Sequence, residues 1–177
     1  MAGLYVHIPF CKTRCLYCDF FSTTQFERID GYVDKLIEEI HLRKNSAQQA
    51  IQTIYIGGGT PSLLQPTHIE RILQSIGTEN MREITMEINP GDATKTYLQA
   101  IYQVGIQRLS IGIQSFQDKL LKTIGRRHNA QQAIQTIHSA QEVGFKNISI
   151  DLMYALPTQT MEQWKADIEI ALQLGIQ

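Results

Sequence analysis

Five short runs rich in β-branched and apolar residues recur along the chain, at Leu4–Ile8, Thr53–Ile56, Glu83–Ile88, Arg108–Ile113 and Asn147–Met153, and each predicts a strand. Between them the apolar positions change to a spacing of three and four. Ile29, Tyr32, Val33, Leu36, Ile37 and Ile40 form one helical stripe, and Ile69, Ile72, Leu73 and Ile76 form another behind Pro66, which suits a first helical turn. Leu120, Leu121 and Ile124 predict a shorter helix closing near Gly125. Ala133, Ile134, Ile137, Ala140 and Val143 predict one that ends at Gly144 as its C-cap. A last stripe runs from Met161 to Leu174, opened by Thr160 and Gln163 at the spacing of a capping box.

Alternating strands and amphipathic helices predict an α/β fold with a parallel sheet. Val104-Gly105-Ile106, Val143-Gly144-Phe145 and Leu174-Gly175-Ile176 each close a helix with glycine, and the first two lead within a few residues into a strand. The pattern is that of a βα repeat, interrupted before a sixth strand. Five parallel strands do not close a β/α barrel, so the expected architecture is an open, partial (β/α)6-type barrel in one domain spanning residues 1–177, with an unpaired edge.

The 177 residues suffice for one domain with a real core, and 43% hydrophobic and 19% charged content is ordinary for a soluble globular chain. A net charge of −1 with no basic run argues against nucleic acid as principal partner. The opening Met-Ala-Gly-Leu-Tyr-Val-His lacks the charged start and apolar stretch of a signal peptide. No apolar run approaches the ~20 residues of a membrane span. The expected location is the cytoplasm.

Composition changes the picture at one point. The only three cysteines, Cys11, Cys15 and Cys18, fall in one short segment with the spacing CxxxCxxC. A [4Fe–4S] cluster normally takes a thiolate on each of four irons; three thiolates leave one iron open to a ligand that is not protein. An open iron beside a sulfonium ligand is how a cluster delivers an electron to S-adenosylmethionine (SAM). Other readings stand beside this one. The cysteines are also able to serve as buried hydrophobes, or to hold zinc with His7 or Asp19 as a fourth ligand. A disulfide framework would want an even count and a secretory context, and neither is present. A thiolate-held cluster needs a reducing compartment, in keeping with the cytoplasm.

Ligands of repeated β/α folds collect at the C-terminal ends of the strands, and the distinctive segments here follow strands. The cysteine loop follows the first. Gly57-Gly58-Gly59-Thr60-Pro61 follows the second, where absent side chains let backbone groups approach a ligand and Thr60 adds a hydroxyl; a plain tight turn is the alternative. Glu87, in the apolar pattern Ile84-Thr85-Met86-Glu87-Ile88, is a strand-end carboxylate in need of a partner, unless it is a solvated edge residue. A SAM ammonium or ribose hydroxyl would serve. Gln114 puts an amide at the same level after the fourth strand. Asp151 interrupts an apolar strand, for a ligand or for a structural ion pair. Arg126, in Gly125-Arg126-Arg127-His128, has the planar fork that clamps a carboxylate, though alone it is equally a solvated loop charge.

Taken together, Tyr5-Val-His7-Ile-Pro9-Phe10-Cys11, Cys15, Tyr17-Cys18, Gly57–Pro61, Glu87-Ile-Asn-Pro, Ser110-Ile-Gly-Ile-Gln114-Ser-Phe and Asp151-Leu-Met-Tyr-Ala-Leu-Pro157 resemble the coproporphyrinogen dehydrogenase-like (HemN/HemW) branch of radical SAM proteins over essentially the whole chain. The resemblance implies a [4Fe–4S] cluster on Cys11, Cys15 and Cys18, with Tyr5 against it and the aromatic Tyr17 just before the last ligand. It implies SAM contacts from Gly58, Gly59, Thr60, Glu87, Gln114, Arg126 and Asp151. The glycine backbone would meet the methionyl amine and Arg126 the carboxylate, with Glu87, Gln114 and Asp151 on amine or ribose groups. A flavodoxin- or ferredoxin-type donor would supply the electron that cleaves SAM to a 5′-deoxyadenosyl radical. Porphyrinogen-oxidising members of the branch resemble CxxxCxxCxC; here Phe20 stands where they have the further cysteine. Cys-Asp-Phe, Gly-Gly-Gly-Thr-Pro-Ser and Gly-Arg-Arg-His are instead similar to the heme chaperone group, which implies heme as a ligand and a respiratory protein as its recipient. The alternative is oxidative decarboxylation of coproporphyrinogen III in porphyrin biosynthesis. Members of the branch continue into a sixth strand and a C-terminal domain, neither expected within residues 1–177.

Overall fold

The computed structural model describes residues 2–44, 46 and 49–176. Five strands form one sheet: β1 (Ala2–Ile8), β2 (Ile51–Gly58), β3 (Glu83–Ile88), β4 (Arg108–Gln114) and β5 (Asn147–Leu152). They are parallel and stand in sequential order, β1-β2-β3-β4-β5. A doubly wound sheet would reverse direction at some strand; a sequential order is the singly wound arrangement of a barrel wall. Helices α1 (Ile29–Arg43), α2 (Pro66–Ile76), α3 (Lys95–Gln103), α4 (Asp118–Thr123), α5 (Ala130–Val143) and α6 (Met161–Gln173) connect or follow the strands. The expected five-stranded α/β sheet is present.

Strand alternation sorts the sheet's two faces. Val6, Ile8, Ile54, Ile56, Ile84, Met86, Ile88, Leu109, Ile111 and Ile113 are buried, and the core they build with Ile69, Ile72, Leu98, Ile101 and Ile137 of α2, α3 and α5 puts this face under the helices. The intervening residues, Tyr5, His7, Tyr55, Thr85, Glu87, Ser110, Ser149 and Asp151, are polar or aromatic and make up the opposite face, the one that would line a barrel interior. Register brings Tyr5 beside Tyr55, Glu87 beside Ser110, and Gly112 beside Asp151.

Helix boundaries follow the local chemistry. Pro66 is at N1/N2 of α2, and Thr160 with Gln163 forms the expected capping box of α6. Gly144 ends α5 in the left-handed region at φ 115. Two details differ from the sequence pattern. α3 was signalled only by its closing glycine, since Tyr97, Leu98 and Ile101 are too few to fix a period. In α6 the fully buried residue is not one of the apolar stripe but Asp167, while Met161 and Leu172 are 62% and 74% exposed.

Candidate functional site

The loop between β1 and α1 is held from both ends before the cysteines are considered. Phe10 is 1% exposed and meets the Tyr32 ring edge-on at 5.4 Å. Thr23 donates to the Pro9 carbonyl at 2.6 Å and accepts from the Cys11 N–H at 2.9 Å, closing a short parallel bridge across the loop. Arg14 donates to the Ser22 carbonyl. Leu16 N–H reaches the Ile124 carbonyl at 3.2 Å, tying the loop to the end of α4. Cys11 is thereby buried, and Cys15 and Cys18 are half-buried with free thiols.

The three cysteines line a cleft of about 330 Å³ at the C-terminal ends of the strands. Tyr17, Gly58, Gly59, Thr60, Glu87, Gln114, Arg126 and Asp151 line the same cleft. Residues separated by more than a hundred positions are thus gathered by the sheet into one wall. Tyr5 is the exception. It lies deeper along β1, opposite Tyr55 and short of Gly57, and its ring stacks on Tyr55 at 6.1 Å while its hydroxyl pairs with His7 Nδ1 at 3.1 Å. Partial burial, aided by the Glu87 charge, raises its phenol pKa.

The glycine turn packs against the cysteine loop with no room to spare. A Cβ on Gly59 would lie 2.7 Å from the Phe10 carbonyl oxygen and 3.0 Å from Cys11 Sγ. Gly58 has φ +117, and a Cβ there would meet the His7 ring at 2.7 Å. The Thr60 hydroxyl donates to Cys11 Sγ at 3.5 Å. Glu87 stands beneath this turn, and its partners are in the protein: the Tyr55 hydroxyl donates to Oε1 at 2.8 Å and the Gly58 N–H to Oε2 at 3.1 Å. Its carboxylate therefore fixes the turn and needs no ligand to explain its position. The same contacts, behind burial, push the Tyr55 phenol up to about 12.

Opposite the glycines stands Arg126. It donates to the Gly112 carbonyl and to Cys15 Sγ at 3.7 Å, and its buried Nε has no hydrogen-bond partner. Tyr17 lines the cleft beside Cys15; burial, against the Arg126 charge, pushes its phenol up to about 12. Asp151 keeps a solvent-exposed side, but the cleft wall behind it raises its carboxyl pKa, against a hydrogen bond from Ser110 and the charges of Arg126 and Arg108.

Two carboxylates that sequence reasoning passed over organise this wall. Asp92 has a side chain only 2% exposed and bridges Lys12 at 2.7 Å and Arg127. Those cations neighbour Cys11 and Arg126 in sequence, so one buried carboxylate ties together both sides of the cleft. Asp167 holds the segment after Gln114 through Ser115, Phe116 and Gln117. Neither had a local signal, because the partners of each are remote in sequence.

Comparison with known proteins agrees with this geometry. Residues 5–171 match the radical SAM superfamily. The chain belongs to that family. It is 42% identical to the heme chaperone HemW of Lactococcus lactis over 97% of its own length and 46% of that protein's, and 40% identical to HemW of Synechocystis over 97% and 44%. The structure of coproporphyrinogen III oxidase (HemN) from Escherichia coli, a radical SAM enzyme, superposes with a TM-score of 0.87 at 31% identity, over 98% of this chain and 42% of that one. The chain thus spans less than half the length of these relatives.

Membership implies a [4Fe–4S] cluster and SAM, and the cleft fits both. Its wall carries three free thiols. Among the described residues no three His, Cys, Asp or Glu side chains stand close enough to hold a single metal ion. Thiols spread along a wall suit a cluster, where each takes its own iron, better than one tetrahedral zinc. A turn stripped of side chains and the Arg126 side chain line the same space, as an amino-acid moiety requires.

Proposed function

We propose that residues 1–177 act as the radical SAM core domain of a cytoplasmic heme chaperone, a protein that binds heme and passes it to a respiratory protein. The observation that carries the reading is the single cleft in which Cys11, Cys15 and Cys18 meet the glycine turn, Gln114, Arg126 and Asp151. Similarity to HemW proteins along nearly the whole chain directs it towards the chaperones.

Cys11, Cys15 and Cys18 would hold the cluster. With SAM bound, that group supplies one-electron reductive cleavage of the sulfonium, drawing its electron from a flavodoxin- or ferredoxin-type protein. The chain's residues bind and orient. Backbone groups of Gly58 and Gly59, kept in place by Glu87, present the turn to the methionyl amine. Arg126, which lines the cleft, offers its guanidinium to the carboxylate while Nη1 stays on Cys15. Glu87, Gln114 and Asp151, which line the cleft, remain for ribose or amine groups. Thr60 donates to Cys11 Sγ and helps hold that thiol in place.

Likeness to HemN supports a second reading, oxidation of coproporphyrinogen III. Phe20 argues against it, because it lines the cleft where porphyrinogen-oxidising members have a further cysteine. The test is anaerobic reconstitution followed by EPR of the reduced cluster with and without SAM, then heme titration. A cluster signal that changes with SAM, together with stoichiometric heme binding, is expected. Turnover of coproporphyrinogen III to protoporphyrinogen would sink the chaperone reading.

A further inference from the structure

The geometry points to Asp167 of α6 as a positioning residue for Gln114, and so for SAM. The inference rests on the SAM reading above. Asp167 is fully buried, and its hydrogen-bond partners are neutral donors from one stretch of chain. Ser115 Oγ donates to Oδ2 at 2.6 Å; Phe116 N–H and Gln117 Nε2 donate to Oδ1 at 2.9 and 3.3 Å. A carboxylate costs free energy to bury, so this one is held by a dedicated nest of donors. Ser115 Oγ also accepts from the Gln117 N–H at 3.1 Å, which leaves its proton to point at Asp167. The pocket is therefore complementary to an acceptor on both oxygens.

The residue just before this stretch is strained. Gln114 has φ 73, a left-handed conformation that side chains rarely adopt, and the register of β4 with β5 shifts between Gly112 and Gln114. Such a conformation persists only where surrounding contacts over-determine it. Met153 N–H holds the Gln114 carbonyl at 2.8 Å from β5, and Asp167 holds the next three residues from α6. The strained backbone turns the Gln114 amide over Gly112, where an added Cβ would meet Gln114 Nε2 at 3.1 Å and Arg126 Nη2 at 3.4 Å. Asp167 thus sets the position of the amide beside the guanidinium without touching the cleft itself.

The test compares Asp167→Asn, Gln114→Ala and the double variant as reconstituted 177-residue chains. Three quantities are read: iron and sulfide per chain, SAM dissociation constant by EPR titration, and thermal midpoint. Asn places an N–H₂ against either Phe116 N–H or Ser115, so Asp167→Asn is expected to weaken SAM binding about tenfold with cluster content unchanged. The double variant should bind no worse than Gln114→Ala, because Asp167 acts only through Gln114. Unchanged affinity in Asp167→Asn with a lowered midpoint overturns the inference and leaves an ordinary structural residue. Additive losses in the double variant overturn it too. If Asp167→Asn does not fold, Ser115→Ala, which removes the Oδ2 contact and the acceptor of the Gln117 N–H but leaves both Oδ1 contacts, takes its place with the same outcomes. A parent chain whose cluster signal ignores SAM defeats the SAM reading, and this inference with it.

Discussion

Replacing Gly59 by alanine adds one methyl group where the structure has no space for it. The new Cβ would sit 2.7 Å from the Phe10 carbonyl oxygen, 3.0 Å from the Ile8 carbonyl oxygen and 3.0 Å from Cys11 Sγ. Two of these three atoms are backbone. The Ile8 carbonyl already accepts from Gly59 N–H at 2.8 Å, and Phe10 is pinned by Tyr32 and by the bridge to Thr23. What yields is Cys11 and the start of its loop. Overpacking of this kind costs about 1–3 kcal/mol, which lowers the thermal midpoint of a chain this size by roughly 2 to 12 °C. The larger effect falls on the site, since a displaced Cys11 would no longer meet the cluster proposed for Cys11, Cys15 and Cys18. Reconstituted Gly59→Ala should therefore carry far less iron and sulfide than the parent. Gly31 in α1 is the internal control: a Cβ there meets nothing within 4 Å, and Gly31→Ala should stabilise the helix by about 0.5–1 kcal/mol with full cluster content. Gly59→Ala that melts like the parent and reconstitutes fully would refute the steric account of the glycine turn.

Arg126→Ala removes a charged donor from the cleft and should weaken SAM binding about ten- to a hundredfold, while the cysteines still take up iron; unchanged affinity in an EPR titration contradicts the assignment. Asp92→Asn leaves Lys12 and Arg127 without their shared anion. As their side chains are 49% and 26% exposed, solvent screening limits the cost to about 1–3 kcal/mol, readable by urea denaturation. His128 is 3% exposed, with Nε2 on the Ile113 carbonyl at 3.1 Å and Nδ1 without a partner. Burial, then the Arg126 charge, lower its pKa from 6.5 to about 4. The unfolded chain takes up this proton first, so stability is full above pH 6.5 and falls between 6.5 and about 4, by roughly 3 kcal/mol in all. Denaturation midpoints measured across that window should lose this slope in His128→Asn, and a parent protein with a flat profile contradicts the burial argument.

How much of this was legible in the sequence depends on the separation between a residue and its partners. Strand positions announced themselves because alternation is local, and the cysteines because all three lie within a single loop. The cleft was foreseeable one step further on, since each distinctive segment follows a strand and parallel strands end on one side. Residues whose partners are distant in sequence were opaque. Glu87 was legible as a strand-end carboxylate, but its partner Tyr55, 32 residues away, was not. Asp92 gave no local signal, because its partner Lys12 lies 80 positions upstream.

Asp167 was hidden for a sharper reason. Its helix was recognised by an apolar stripe, and a periodicity argument assigns the buried face to that stripe. The structure packs Ile170, Ala171 and Leu174 of that stripe against the core and fully buries the carboxylate beside them, because Ser115 and its neighbours offer three donors that no apolar side chain could satisfy. Tyr5, which the resemblance sets against the cluster, has its ring against Tyr55, short of the glycine turn along β1. A sequence motif identifies the elements that meet at a site; hydrogen bonds across the sheet decide which side chains reach it.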